Sequence, residues 1–218
     1  MKRNLTLSLD EKLLRLARMV CQKRNTTLTQ FVRDQLENMV YRDEEYQNSM
    51  NRIVSLMKKD RSRWNPRRGP GMSFMKDRTF FDTNILVYAF DDSNQTKYKI
   101  ASDFIIEAYK EGLGVISTQV LKEFYVTVTQ KIPGKMDMGD AEQVIRDFSV
   151  WSVVETDVAL ILKAIHIQRR HTLSFWDAMV VAAATVSGCK VLLTEDLSHD
   201  AFLGDVHILN PFENGPVS

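Results

Sequence analysis

The sequence predicts an α/β protein. A parallel sheet with helices on both faces occupies residues 72–218, behind a small strand–helix–helix domain over 1–42 and an extended or helical tail over 43–71. Three observations predict it. Residues 72–218 alternate short apolar strands with helical stripes, the pattern of a parallel sheet. Residues 4–9 alternate polar and apolar with period two, and two helical stripes follow. Charge divides at the same place: 16 Lys+Arg against 8 Asp+Glu over residues 1–71, and 13 against 20 over 72–218. A basic front and an acidic rear imply different partners and mutual attraction.

The 218 residues, 44% of them hydrophobic, suffice for one medium core and one small one. Cys21 and Cys189 show no metal spacing and read as core residues in a reducing compartment. Met1–Thr6 lacks the apolar core of a signal peptide, and the apolar run Ala178–Ala184 is too short to cross a bilayer. The expectation is a cytoplasmic protein with no membrane partner.

In the front domain, Leu5, Leu7 and Leu9 face a core while Asn4, Thr6 and Ser8 face out, in phase with Lys2. Asp10 caps a helix over Glu11–Lys23 whose stripe is Leu13, Leu14, Leu16, Ala17, Val20 and Cys21. Thr27-Leu28-Thr29-Gln30 has capping-box spacing and opens a second helix to about Tyr41, with Phe31, Val32, Leu36 and Val40 inward. One strand and two helices cannot cover this much apolar surface, and a lone strand leaves a bare edge. Pairing with a second copy removes both problems, so a homodimer or higher even oligomer is expected.

This order of elements over residues 2–41 resembles the ribbon-helix-helix DNA-binding family. The resemblance implies that the paired ribbon enters the major groove of operator DNA, with Lys2, Asn4 and Thr6 at base edges. The helix N-terminus near Thr27 would hold a phosphate.

In the tail, Tyr46, Met50, Ile53, Val54 and Met57 fall at helical intervals. Arg61, Arg63, Trp64, Arg67 and Arg68 follow, ahead of the breakers Gly69-Pro70-Gly71. A lone tryptophan in a free linker leaves a large apolar area in water. The stripe and Trp64 are therefore expected to dock on the acidic residues 72–218.

The rear domain opens with a strand at Thr79–Phe81 that ends on Asp82, then an apolar helix from Thr83-Asn84. Helices are predicted over Lys97–Tyr109, Thr118–Lys131, Asp140–Phe148, Asp157–Arg169 and Ser174–Ser187. Strands are predicted over Gly114–Ser117, Trp151–Val154, Lys190–Leu193 and His207–Leu209. Asp82, Glu123, Asp177 and Asp196 then sit at strand ends or early in the following helices, which share one rim of a parallel sheet. Each also has an ordinary structural role open to it. Ser174-x-x-Asp177, for example, is capping-box spacing. Converging carboxylates repel unless a cation lies among them, and hard oxygen donors suit Mg²⁺ or Mn²⁺. Such an ion acidifies water and neutralises charge on a phosphodiester. His166, His171, His199 and His207 fit no triad or zinc signature, and there is no P-loop.

Phe81-Asp82-Thr83-Asn84, Glu123, Trp176-Asp177-Ala178 and Leu193-Thr194-Glu195-Asp196-Leu197 resemble the PIN-domain nucleases, and more narrowly the VapC toxins. The resemblance implies a Mg²⁺/Mn²⁺-dependent endoribonuclease with Asp82, Glu123, Asp177 and Asp196 as catalytic, metal-binding residues. Asn84 and Thr194 would support them, and the RNA substrate would be tRNA-like. Residues 1–71 then resemble the VapB antitoxin, joined here to its toxin. The inhibitory segment would be Arg61, Arg63, Trp64, Arg67 and Arg68. The alternative function is a ribbon-helix-helix repressor whose PIN-like domain is catalytically silent and serves assembly. A phosphatase with Asp82 as nucleophile fits less well, because the second aspartate that class needs is Asn84.

Overall fold

A computed structural model describes residues 8–24, 26–57 and 76–213. The chain forms two compact units, Met1–Gln47 and Asn48–Ser218.

In the first unit, α1 (Glu11–Lys23) has the predicted bounds, and Asp10 Oδ1 accepts the Leu13 N–H at 2.8 Å. Thr27 Oγ1 accepts the Gln30 N–H at 3.1 Å and opens α2 (Leu28–Met57). This helix does not stop near Tyr41 as predicted. Tyr41-Arg42-Asp43 contains no glycine or proline, so no backbone chemistry ends it there. The 42/43 division therefore falls inside one helix. Lys2, Asn4 and Thr6 lie outside the described residues, and Ser8 and Leu9 are irregular backbone. So do Arg61, Arg63, Trp64, Arg67 and Arg68. Of the α1 stripe only Cys21 is buried; Leu13 is 49% and Leu16 is 50% exposed. Two helices offer too little surface to cover it.

The second unit carries a six-stranded sheet. Its order is β3 (Ser152–Val154), β2 (Gly114–Ser117), β1 (Thr79–Phe81), β4 (Val191–Leu193), β6 (Val206–Leu209) and β5 (Phe202–Leu203). All pairs are parallel except β5 with β6. Flanking it are α3 (Thr83–Tyr88), α4 (Gln95–Glu111), α5 (Thr118–Val126), α6 (Met138–Phe148), α7 (Val158–His171) and α8 (Phe175–Val186). The helix predicted over Thr118–Lys131 is α5 followed by a π-helical turn, Thr127–Lys131.

β1 is central and wholly buried. From it the chain builds outward through β2 to β3, then returns to β4 on the other side. The strand order therefore reverses between β1 and β4, and ligands bind beyond the carboxyl ends at such a switch point. The core packs Phe80, Phe81, Tyr109, Phe124, Phe148 and Trp151. Each buried aromatic contributes roughly 2–3 kcal/mol. Gly114 is dictated by this core, since a Cβ there would come within 2.4 Å of the Trp151 ring.

The last turns of α2 belong to this unit, and the predicted stripe packs here. Ser49, Ile53 and Met57 are buried, and Met50 and Val54 are half-buried. Arg52 Nε donates to Oδ1 of the fully buried Asp147 at 2.8 Å, and the Tyr98 hydroxyl donates to the Met57 carbonyl.

Candidate active site

Three short segments meet at the switch point. Asp82 ends β1 and caps α3, with Oδ1 accepting the Thr83 N–H at 2.7 Å. Its Oδ2 accepts the hydroxyl of Thr194, a fully buried residue just past β4, at 2.7 Å. Thr194 Oγ1 in turn accepts the Asp196 N–H at 3.1 Å and Asn84 Nδ2 at 3.4 Å. Asn84 Nδ2 also reaches Asp196 Oδ2 at 3.0 Å. Glu123, in α5, is held from two sides: Thr83 Oγ1 donates to Oε2 and Gln119 Nε2 to Oε1, both at 3.0 Å. Asp82, Asp196 and Glu123 therefore belong to one hydrogen-bonded chain. A neutral donor stands at each link.

Asp82 is 8% exposed. Burial pushes its carboxyl up to about 6, and the charges of Asp196 and Glu123 push the same way. The hydrogen bonds from Thr194 and Thr83 pull it down without offsetting burial.

Asp177 stands differently. Its N–H is capped by Ser174 Oγ at 3.1 Å in the first turn of α8, so the capping spacing operates. Its carboxylate is not part of the chain that joins the other three. Among the described residues no three His, Cys, Asp or Glu side chains are close enough to hold an ion together. Of the four carboxylates expected from sequence, Asp82, Glu123 and Asp196 share one hydrogen-bonded chain and Asp177 stands outside it. Each of the three linked carboxylates accepts a hydrogen bond from a neutral side chain: Glu123 from Thr83, Asp196 from Asn84 and Asp82 from Thr194.

The donor chemistry nonetheless suits a hard cation. Asp82 is buried beside two like charges, and Asn84 Oδ1 is buried with no hydrogen-bond partner. An oxygen-binding ion would relieve both costs.

Sequence reading missed the residues that fix these groups. Thr83 and Gln119 hold Glu123. Glu195, between the two site residues Thr194 and Asp196, is turned aside by Lys97 and Tyr88, which donate to its two oxygens. Lys97 Nζ also donates to the Tyr88 hydroxyl at 3.0 Å. This anchor pins the loop after β4. Its members lie too far apart in sequence to be paired by spacing. Beside Glu123 a cleft of about 400 Å³ is lined by Thr83, Lys122, Glu123, Val126, Thr127, Lys131 and Trp176.

A family model for the PIN domain matches residues 79–202, more than half of the chain. The chain belongs to the PIN-domain family. The match runs from β1 into β5 and includes Asp82, Glu123, Asp177 and Asp196. Among solved structures, the chain is similar to a toxin–antitoxin complex from Klebsiella pneumoniae, at 18% identity and a TM-score of 0.47. That match covers 62% of this chain and 99% of the other. It is also similar to VapC20 of Mycobacterium tuberculosis, a sarcin–ricin loop cleaving toxin, at 21% identity and a TM-score of 0.43. There the coverage is 52% of this chain and 86% of the other. The comparison with curated proteins gives no match. The family model carries the assignment. No described helix is long and apolar enough to cross a membrane.

Proposed function

We propose that this PIN domain is a Mg²⁺/Mn²⁺-dependent endoribonuclease, a VapC-like toxin held in check by the VapB-like residues joined ahead of it. The observation that carries the reading is Asp82, a buried carboxylate at the end of the central strand whose neighbouring charges are Asp196 and Glu123. A fold keeps such a group only where something offsets its cost.

In this reading Asp82, Asp196 and Glu123 would draw in around the ion, and Asp177 would join them from the start of α8. The ion would supply positive charge against the carboxylates and against the charge developing on a phosphodiester. Thr194 and Asn84 orient Asp82 and Asp196, while Thr83 and Gln119 orient Glu123. Trp176 and the lysines beside the cleft lie where a substrate strand would leave the site.

The front domain acts as a ribbon-helix-helix dimer on operator DNA through Lys2, Asn4, Thr6 and the α2 N-terminus at Thr27. The exposed Leu13, Leu16 and Val20 support the dimer, because a second copy would cover them. The arginine segment inhibits. A guanidinium fork matches carboxylates and would occupy the place of the cation. The end of α2, seated on the PIN domain through Ile53, Met57 and Arg52, delivers that segment at high effective concentration.

The test is Mn²⁺-dependent cleavage of a labelled structured RNA by the full chain and by the chain with Arg61, Arg63, Arg67 and Arg68 changed to alanine. The variant should cut at least about tenfold faster, a change of about 1.4 kcal/mol in the barrier. Equal rates would remove the inhibitory role. No cleavage by either chain would remove the nuclease reading and leave the repressor.

A further inference from the structure

The cleft beside Glu123 is not needed to hold an ion, yet it has a definite chemistry. On one side stands Trp176, 62% exposed at the start of α8. Its ring and that of Phe175 pack T-shaped with centroids 5.4 Å apart, and most of the Trp176 side chain remains open to solvent. On the other side run Lys122, Glu123, Val126, Thr127 and Lys131 from α5 and the π-helical turn. Lys122 and Lys131 are exposed, and among the described residues neither makes an ion pair.

Both lysines line the cleft although they lie nine positions apart in sequence. Nine residues of regular α-helix turn through about two and a half revolutions and would place them on opposite faces. The π-helical turn over Thr127–Lys131 departs from that regular path, and both lysines line one cleft.

We propose that this cleft is the binding groove for the substrate strand: Trp176 stacks on a base, and Lys122 and Lys131 hold the adjoining phosphates of a single-stranded RNA. The inference rests on the nuclease reading for its biological meaning, but not for its test. An exposed aromatic beside unpaired lysines is the combination that single-stranded nucleic acid needs. The groove shares Thr83 and Glu123 with the carboxylate chain, so a strand lying in it passes the site. Charge also selects the occupant. Two lysines attract a polyanion and repel the arginine segment of this same chain. The full chain therefore binds RNA in the groove even while its carboxylates are blocked.

The experiment is fluorescence anisotropy of a labelled single-stranded 12-nucleotide RNA of mixed sequence with the full chain in EDTA, where no cleavage is possible. Failure here is thus separate from failure of the nuclease reading. Trp176→Ala should weaken binding about tenfold, within the range for one lost stack, and Trp176→Phe should keep it within about threefold. Replacing Lys122 and Lys131 by alanine should flatten the slope of log affinity against log salt by about 1.4, two phosphates' worth for a single strand. Circular dichroism checks that each variant is folded. The proposal is overturned if the parent does not bind, or if Trp176→Ala and the lysine pair leave affinity and salt slope unchanged. It is also overturned if binding appears only once the four arginines are removed, because the chain's own segment is then the occupant.

Discussion

The two units solve the same problem to different degrees. In the PIN domain Phe80, Phe81, Ile85, Phe124 and Leu192 are sealed from water by the chain itself. In the front unit Leu13, Leu16, Met19, Val20, Leu36 and Val40 all remain more than two-fifths exposed. The difference follows from length, since α1 and the first turns of α2 offer too little surface to wrap their own apolar stripes. A complete core is what positions carboxylates.

The end of α2 lies in the finished unit, and there a buried charge depends on it. Asp147 is fully buried; its Oδ1 receives Arg52 and also Gln143 Nε2 at 3.2 Å, and its Oδ2 has no hydrogen-bond partner. Arg52→Ala leaves that carboxylate without its cation. Removing one partner of a buried pair costs about 3–5 kcal/mol. Because the Arg52 side chain is 45% exposed, the lower end, about 3 kcal/mol, is expected from urea unfolding of the PIN domain. An unchanged midpoint would mean that Asp147 does not depend on the helix.

The front unit gives a smaller energy and a larger change of mass. Leu16→Glu on a chain that stays single should alter stability by under about 0.5 kcal/mol, as surface substitutions do. If a second copy covers Leu16, light scattering shows a dimer for the parent and a monomer for the variant. A parent that is monomeric at micromolar concentration breaks the comparison.

Much of this was legible in sequence where local chemistry decides. Glu11–Lys23 and Gly114–Ser117 have their predicted bounds, because Asp10 caps one and a β-branched pair closed by Ser117 forms the other. The short β5–β6 hairpin was missed although Gly204-Asp205 between Leu203 and Val206 is a two-residue turn signal, with Gly204 at φ +66°. The π-helical turn has no signature in composition. At the site, Asp82 and Asp196 were readable as residues just past strands and Glu123 as a residue of the helix after β2. Their hydrogen bonds to Thr83, Asn84 and Thr194 were not, because those bonds link segments 40 to 112 residues apart. The seating of Ile53 and Met57 was readable as a stripe without a local partner.

The central claim is that Asp82 is kept buried for a cation, and one titration tests it directly. With Arg61, Arg63, Arg67 and Arg68 replaced by alanine, thermal unfolding is followed against pH and Mn²⁺ for the chain with Asp82 and for Asp82→Asn. The folded-state value of about 6 exceeds the unfolded 3.8, so the native state holds the proton more tightly. Without metal, stability should therefore fall as pH rises between those values, by roughly 2–3 kcal/mol in all, and the full cost persists above 6. Asp82→Asn should lack this fall, so the difference between the two chains carries it. At pH 7.5, Mn²⁺ at about a hundred times its dissociation constant should return about 2.7 kcal/mol to the Asp82 chain, several degrees in Tm. It should return nothing to Asp82→Asn. An equal Mn²⁺ shift in both chains, or the same pH profile for both, would contradict the account.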